Sequence, residues 1–319
     1  MPESIIWGIV FLFSLVILVV SADFFIKSSE RVGLALGIPQ FIIGVTLVAL
    51  GTSLPELVTS IIAVLEDNAE IVSGNVVGSN ITNICLILGL IAFLGRKIRL
   101  EYDIMRVEMP LLIGATFFMA LASYDGHFSL NEGFICLFGL LIYLGYVLDL
   151  GKKSQQITAG SPEYDPEIHR ISLKEPFILI FSGVAIYLSA KYNVRAIEQL
   201  SILYGIGKEV IALTAVALGT SLPELVVSMV AVRSGNTEMA IGNILGSNIF
   251  NIFCVMGVPS LISTYAIPAS INSFSLPLMV AVTLLTFFIT LDKSINRWEG
   301  LILLLFYAFF MSHEIMALV

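Results

Sequence analysis

Two glutamates dominate the chemistry open to this sequence. Glu56 and Glu224 each stand inside an apolar stretch, in the identical segment VALGTSLPELV at 48–58 and again at 216–226. An ionised carboxylate at membrane depth is costly unless it is paired, hydrated or bound to a cation, and no Lys or Arg stands near either glutamate in its stretch. Oxygen donors surround each one instead. Thr52 and Ser53 precede Glu56 by four and three residues, so helical spacing puts them on its face, one turn away; Thr220 and Ser221 stand in the same relation to Glu224. Pro55 and Pro223 have no N–H to offer the carbonyls a turn earlier, around Gly51 and Gly219, which frees those oxygens as further donors from a disturbed backbone. Such a set suits a hard cation, since Ca2+ takes about six to eight oxygen ligands and Na+ likewise prefers oxygen. One buried glutamate is compatible with a protonated structural group bonded to a neighbouring helix. Two at equivalent positions read as anionic ligands facing one another near the bilayer midplane.

A second motif follows each glutamate: GNVVGSNITNI at 74–84 and GNILGSNIFNI at 242–252. Ser79 and Asn83 fall four apart on one helical face, as do Ser247 and Asn251, and would complete the oxygen shell. Gly74, Gly78, Gly242 and Gly246 are small residues at the spacing that lets helices approach closely, while Asn75 and Asn243 read as helix caps. Two carboxylates among neutral amides and hydroxyls make a doubly negative site, neutralised by one Ca2+ or by two Na+ competing for the same oxygens. A site reluctant to cross the membrane when empty gives exchange rather than one-way transport.

The elements that must position these residues follow from repetition and composition. An offset of 168 residues carries Glu56 onto Glu224, Asn83 onto Asn251, Ser21-Ala22 onto Ser189-Ala190 and Glu30 onto Glu198, a duplication held in one register. Of the 319 residues, 57% are hydrophobic and 13% charged, against about 25% charged in soluble domains; with a mean hydropathy of +0.97, a water-soluble fold is excluded. Apolar runs predict spans near 5–26, 40–65, 71–94, 107–123, 132–150, 174–190, 208–232, 239–262, 273–291 and 298–317. The fold class read from them is an all-α polytopic membrane protein with ten transmembrane helices: a first five-helix repeat over 1–150, a polar linker over 151–173 and a second repeat over 174–319. Five spans is an odd number, so the second copy enters the membrane inverted, and rocking one bundle against the other would expose the site to one side at a time. With the N- and C-termini outside and the linker in the cytoplasm, thirteen of the sixteen Lys and Arg residues fall inside; Lys191, Arg195 and Lys208 do not. Because Lys27 and Arg195 are repeat equivalents on opposite sides, part of that placement is inherited. The first residues, Met1-Pro2-Glu3-Ser4, lack the basic region of a cleavable signal, so the first apolar run reads as a span.

Other chemistries find little support. Cys85, Cys136 and Cys254 are odd in number and widely spaced, which suits neither a disulfide framework nor a metal cluster. His127, His169 and His313 show no ligand spacing, and no phosphate loop or nucleophile elbow occurs, so neither an enzyme nor a resident cofactor is expected.

GTSLPE followed by GNxxGSNxxN, present twice, resembles the alpha repeats of the sodium/calcium exchanger family within the cation/calcium antiporter superfamily, and the similarity extends over nearly the whole chain. The resemblance implies a compact, prokaryotic-type antiporter of the plasma membrane that exchanges Na+ for Ca2+. Its ion ligands would be the backbone carbonyls of Ala49 and Ala217, with Thr52, Ser53, Glu56, Ser79 and Asn83 from the first repeat and Thr220, Ser221, Glu224, Ser247 and Asn251 from the second. It implies the lipid bilayer as surroundings, with no nucleic acid and no obligate protein partner. Asn251 stands where potassium-dependent relatives have Asp, which argues for potassium independence. Lys191 stands where its repeat partner is Asp23, which bears on ion access at the end of the sixth span, and the linker is too short for a regulatory calcium-binding domain. The nearest alternative is H+/Ca2+ antiport, with a glutamate carrying the proton, although the GNxxE pattern of proton-exchanging relatives is absent and the Thr-Ser pairs suit Na+. A passive cation channel is the third reading, but two single-copy glutamates do not build a ring.

Overall fold

The computed structural model describes residues 3–36, 38–95, 97–99, 108–159, 174–203 and 221–318. The helices are α1 (Glu3–Ala35), α2 (Gln40–Leu65), α3 (Glu70–Gly95), α4 (Glu108–Ala122), α5 (Leu130–Ala159), α6 (Lys174–Leu203), α7 (Leu222–Arg233), α8 (Thr237–Ser260), α9 (Ile271–Thr290) and α10 (Arg297–Leu318). Among the described residues, eight helices are long and apolar enough to cross a membrane and α4 is a shorter apolar helix. Helix α7 is the described part of the span expected over 208–232. The chain is an all-α polytopic membrane protein of ten helices, arranged as two inverted five-helix repeats.

Helices outrun the apolar stretches that announce them. α1 continues to Ala35, α5 to Ala159 and α6 to Leu203, past the expected ends at 26, 150 and 190. Hydropathy marks where lipid ends, whereas a helix satisfies its own backbone hydrogen bonds in lipid and water alike. The expected linker therefore begins as helix, and 160–173 lie outside the described residues.

Burial is inverted relative to a soluble protein. Every residue from Met239 to Phe250 of α8 is buried, while Phe24, Phe177 and Phe181 project outward from α1 and α6, the last 72% exposed. Outward apolar side chains meet lipid, and polar side chains gather inside. α1 and α6 pack against each other; at one end Ser28 and Arg31 bond Glu175, at the other Asn193 donates to the carbonyl of Phe11.

The duplication is visible in backbone detail. The α2–α3 turn places Asp67 at φ 59° and the α7–α8 turn places its equivalent, Gly235, at φ 86°. In each turn a 2.8 Å bond closes the helix end, from Asn68 N to Ala63 O and from Asn236 N to Ala231 O, the six-to-one closure of a helix C-terminus. Two small antiparallel pairs, which an all-α reading does not anticipate, tie the copies together. β1 (Lys97–Arg99) pairs with β4 (Ser294–Asn296), and β2 (His127–Phe128) with β3 (Tyr265–Ala266). Shifting the pair Lys97–Asn296 by the repeat offset yields the pair Tyr265–Phe128, so each ladder is the symmetry mate of the other.

Of the four small residues expected at helix crossings, the two in the second copy are packed. A Cβ on Gly246 would lie 2.7 Å from Val45 Cα, and one on Gly242 would collide with the carbonyl of Phe41, so α2 and α8 cross backbone to backbone. Gly78 meets no such neighbour among the described residues.

Candidate ion-binding site

The site assembles where α2, α3, α7 and α8 meet. Three π-helical turns mark it: Gly44–Val48 immediately before Ala49, Thr82–Leu88 around Asn83, and Asn251–Val255 beginning at Asn251. Each adds a residue to a turn, as in the 3.1 Å bond from Met256 N to Asn251 O, and such bulges cluster at functional positions.

Glu56 and Glu224 are both fully buried. They are brought together across the repeats: Ser53, from the turn before Glu56, donates its Oγ proton to Glu224 Oε1 at 3.2 Å. Among the described residues, neither carboxylate forms an ion pair with a Lys or Arg. Both carboxylate oxygens of Glu56, Oε2 of Glu224, Oγ of Ser221 and Oδ1 of Asn83 and Asn251 are buried with no hydrogen-bond partner among the described residues. Buried polar atoms are ordinarily paired. A concentration of acceptor oxygens lacking donors can hold a cation, and the donor set of carboxylates, amides and hydroxyls is one for hard ions. Among the described residues no group of three or more His, Cys, Asp or Glu forms a different metal centre.

Thr52 Oγ1 donates to Asn243 Oδ1 at 3.1 Å, lies 3.4 Å from Ser247 Oγ and also reaches the carbonyl of Ala49 at 3.4 Å. Thr52, Ser53, Glu56, Ser79, Asn83, Glu224, Ser247 and Asn251 are thus all buried on these four helices, as are Ala49 and, immediately before α7, Ser221. Ala217 and Thr220, with Gly219, lie outside the described residues.

Two expectations need correction. Asn75 and Asn243 are not caps: their helices start at Glu70 and Thr237, and both side chains are buried mid-helix. Their amides instead hold the glutamate-bearing helices, Asn75 through Ser60 Oγ at 3.1 Å and the carbonyl of Glu56 at 3.3 Å, Asn243 through Ser228 Oγ at 2.9 Å. A cap must reach the first turn's N–H groups, which a mid-helix residue cannot do. Nor does Pro55 break its helix, which runs from Ala49 to Leu65 with the irregular turn upstream. In the second copy Pro223 does fall in the first turn of α7, after Ser221 at φ −90°, ψ 6°.

Asn80 and Asn248 escaped the reading of spacing, although both lie in the repeated GSN. Asn80 Nδ2 donates to the Asn248 carbonyl at 3.2 Å and Asn248 Nδ2 to the Asn80 carbonyl at 3.5 Å. Their Oδ1 atoms accept from Asn251 Nδ2 at 3.1 Å and Asn83 Nδ2 at 2.9 Å. The signal in the sequence was the recurrence of Asn at the repeat offset; only its partner was hidden.

Comparison with known proteins gives the chain's relatives. The family described as "Sodium/calcium exchanger protein" matches residues 6–148 and 174–316, two segments related by the repeat offset. The chain is 34% identical to the sodium/calcium exchanger MaX1 of Methanosarcina acetivorans, over 95% of this chain and 97% of that one. It is likewise 34% identical to the putative antiporter CaxA of Alkalimonas amylolytica, covering 92% and 94%. Among solved structures, the sodium-calcium exchanger NCX_Mj soaked with Na+ and Ca2+ superposes with a TM-score of 0.82 at 30% identity, covering 97% of this chain and 98% of that one.

Proposed function

Since this chain belongs to the sodium/calcium exchanger family, we propose that it is a secondary active antiporter exchanging Na+ for Ca2+ across the membrane by alternating access. Membership makes it a multi-pass membrane transporter for cation/calcium exchange; the ion pair, ligands and mechanism are our reading. Relatives named as sodium/calcium exchangers over almost their full length support both ions.

The observation that carries the reading is that two buried glutamates, at equivalent positions of inverted repeats and linked across them through Ser53, keep carboxylate oxygens that no donor among the described residues satisfies. Glu56 and Glu224 supply the charge. Thr52, Ser53, Ser79, Asn83, Ser221, Ser247 and Asn251, the carbonyl of Ala49 and, by repeat equivalence, Ala217 and Thr220 supply neutral oxygens. One Ca2+ or two Na+ balance two carboxylates, so the ions compete and the loaded forms cross while the bare doubly negative site does not. Because the copies are inverted, a movement that closes one approach opens the other. With an amide at Asn251 the site needs no K+. Distribution of basic residues supports a plasma-membrane orientation with both termini outside and the linker cytoplasmic.

The test uses purified protein in vesicles. Ca2+ uptake driven by an outward Na+ gradient, at clamped voltage and without a pH gradient, is the expected result. Uptake driven only by a pH gradient would assign H+/Ca2+ antiport, and a saturating leak indifferent to Na+ would assign a channel.

A further inference from the structure

Glu30, Gln40 and Asn236 close a ring of three hydrogen bonds between elements far apart in chain order. Gln40 Nε2 donates to Glu30 Oε1 at 3.3 Å and to Asn236 Oδ1 at 2.9 Å, and Asn236 Nδ2 donates to Glu30 Oε2 at 3.0 Å. Glu30 lies near the end of α1, Gln40 opens α2, and Asn236 stands in the α7–α8 turn, 206 residues from Glu30. Asn236 occupies the N-cap position of α8, where an Asn side chain ordinarily accepts from the first turn of its helix. It makes no capping bond and is 4% exposed, turned into the ring instead. Its repeat equivalent, Asn68 in the α2–α3 turn, is exposed and donates to the carbonyl of Glu66 in its own turn.

The ring is built to open. Glu30 and Gln40 are only half-buried, so water can replace the bonds when they part, and separation avoids the cost of a buried group left unpaired. Among the described residues Glu30 forms no ion pair with a Lys or Arg; amides hold it. At the same end α1 is fastened to α6, through Ser28 and Arg31 to Glu175. Beside the glutamate motif, by contrast, Phe25 of α1, Gly51 and Pro55 of α2, and Leu179 of α6 line an apolar cavity of about 370 Å3. Apolar contact is non-directional and survives a shift of one surface along another. The ring does not, because its bonds need particular partners at particular distances.

We propose that Glu30, Gln40 and Asn236 form a latch that fastens the α1–α6 pair to the α7–α8 turn in the present conformation and parts when the ion site opens to the face on which that turn lies. The latch binds no ion and sets the balance between the two orientations of the site. This rests on the exchange reading above, in whose orientation the latched face is the cytoplasmic one.

The test compares wild type with Glu30→Ala, Gln40→Ala, Asn236→Ala and the pair Glu30→Ala with Asn236→Ala. Half-saturating Ca2+ for transport is measured from each membrane face in vesicles of uniform orientation, and hydrogen exchange of the α7–α8 and α2–α3 turns is followed in ion-free purified protein. Apparent affinity from a face scales with the fraction of protein open to it, so the ratio of the two half-saturating concentrations reports the balance. Glu30→Ala is expected to lower the value on the α7–α8 face relative to the other by about tenfold or more, the effect of losing a hydrogen bond to a charged group. Hydrogen exchange should become faster at the α7–α8 turn and slower at the α2–α3 turn. Gln40→Ala and Asn236→Ala should act in the same direction and by less, since each leaves Glu30 one partner. Adding Asn236→Ala to Glu30→Ala should change the ratio no further, because Glu30 is the member that α1 carries. A wild-type ratio in Glu30→Ala, or faster hydrogen exchange at the α7–α8 turn alone, overturns the proposal and leaves the ring a local fastening. Should Glu30→Ala fail to fold, Glu30→Asp, which withdraws the carboxylate by one methylene, decides by the same ratio. Failure of the exchange reading is separate, because wild type would then lack Na+-driven uptake while the opposed changes in hydrogen exchange still read the latch.

Discussion

The two copies of VALGTSLPELV share every residue, and the described part of the second, 221–226, differs in structure from its counterpart in the first. In the first, Pro55 lies within an unbroken helix and both carboxylate oxygens of Glu56 lack a partner. In the second, the helix begins at Leu222, Ser221 stands outside it with a free Oγ, and Glu224 accepts the Ser53 hydroxyl. The Asn243 oxygen is held by Thr52, whereas that of its equivalent Asn75 has no partner among the described residues, which do not include Thr220. Elsewhere the copies match: the hairpin turns, the Asn75–Ser60 and Asn243–Ser228 bonds, the reciprocal Asn80–Asn248 bonds and the two β ladders all obey the pseudo-twofold. The symmetric parts form a frame and the asymmetric part is the glutamate motif itself. Under the proposed exchange, the two copies trade conformations when the site turns from one side to the other.

The comparison can be broken most decisively at the glutamates. Glu56→Gln and Glu224→Gln should each abolish Na+-driven Ca2+ uptake, a fall of more than a hundredfold, since removing one member of a buried charged arrangement costs about 3–5 kcal/mol. Robust exchange in either variant would remove the paired-carboxylate site. A steric contrast comes next. Gly242→Ala and Gly246→Ala press a methyl group onto the α2 backbone and should cost about 1–3 kcal/mol by overpacking, whereas Gly78→Ala, at the position equivalent to Gly246, should be tolerated; thermal melting in detergent compares them. Comparable losses at Gly78 and Gly246 would show that both copies are packed alike.

The serines sharpen the asymmetry. Ser53→Ala removes a bond to a carboxylate that the present conformation makes, and Ser221→Ala removes none. A hydrogen bond to a charged group contributes about 1.5–3 kcal/mol, so labelling of cysteines placed on the two membrane faces should report a shift of about tenfold in ion-free conformational balance for Ser53→Ala, and a shift in the opposite direction for Ser221→Ala. Equal shifts in one direction would mean that the copies do not exchange states. The smallest effect concerns the surface. Asp23 and Lys27 form an exposed i,i+4 pair on α1, while the equivalent positions carry Lys191 and Arg195. Lys191→Asp should restore that pair and raise melting stability by no more than about 0.5 kcal/mol.

Most of the frame was legible without coordinates. The starts of the spans at 40, 71, 174 and 239 fall within a few residues of the helices, because hydropathy reports directly where lipid surrounds the chain. Helix ends are not legible in the same way, since α1, α5 and α6 continue as helices beyond their apolar runs. Ser53 and Glu224 both stand out by spacing, but the bond between them does not, and Asn75 reads as a cap because Asn is common at caps and its distant partner Ser60 is invisible in the sequence. The π turns at Gly44–Val48, Thr82–Leu88 and Asn251–Val255 have no local sequence rule that separates them from ordinary helix.

By itself the sequence determined the residue types, the duplication, the count of spans and their inversion, because hydrophobic length and repeat offset are properties of the chain read in order. Tertiary structure decided which partners the two glutamate motifs meet and which way each asparagine amide points. Those choices depend on partners far away in the chain, such as Asn83 and Asn248 at 165 residues' separation or Ser53 and Glu224 at 171. A buried donor or acceptor is oriented by whatever it must satisfy in space, and no local pattern carries that information.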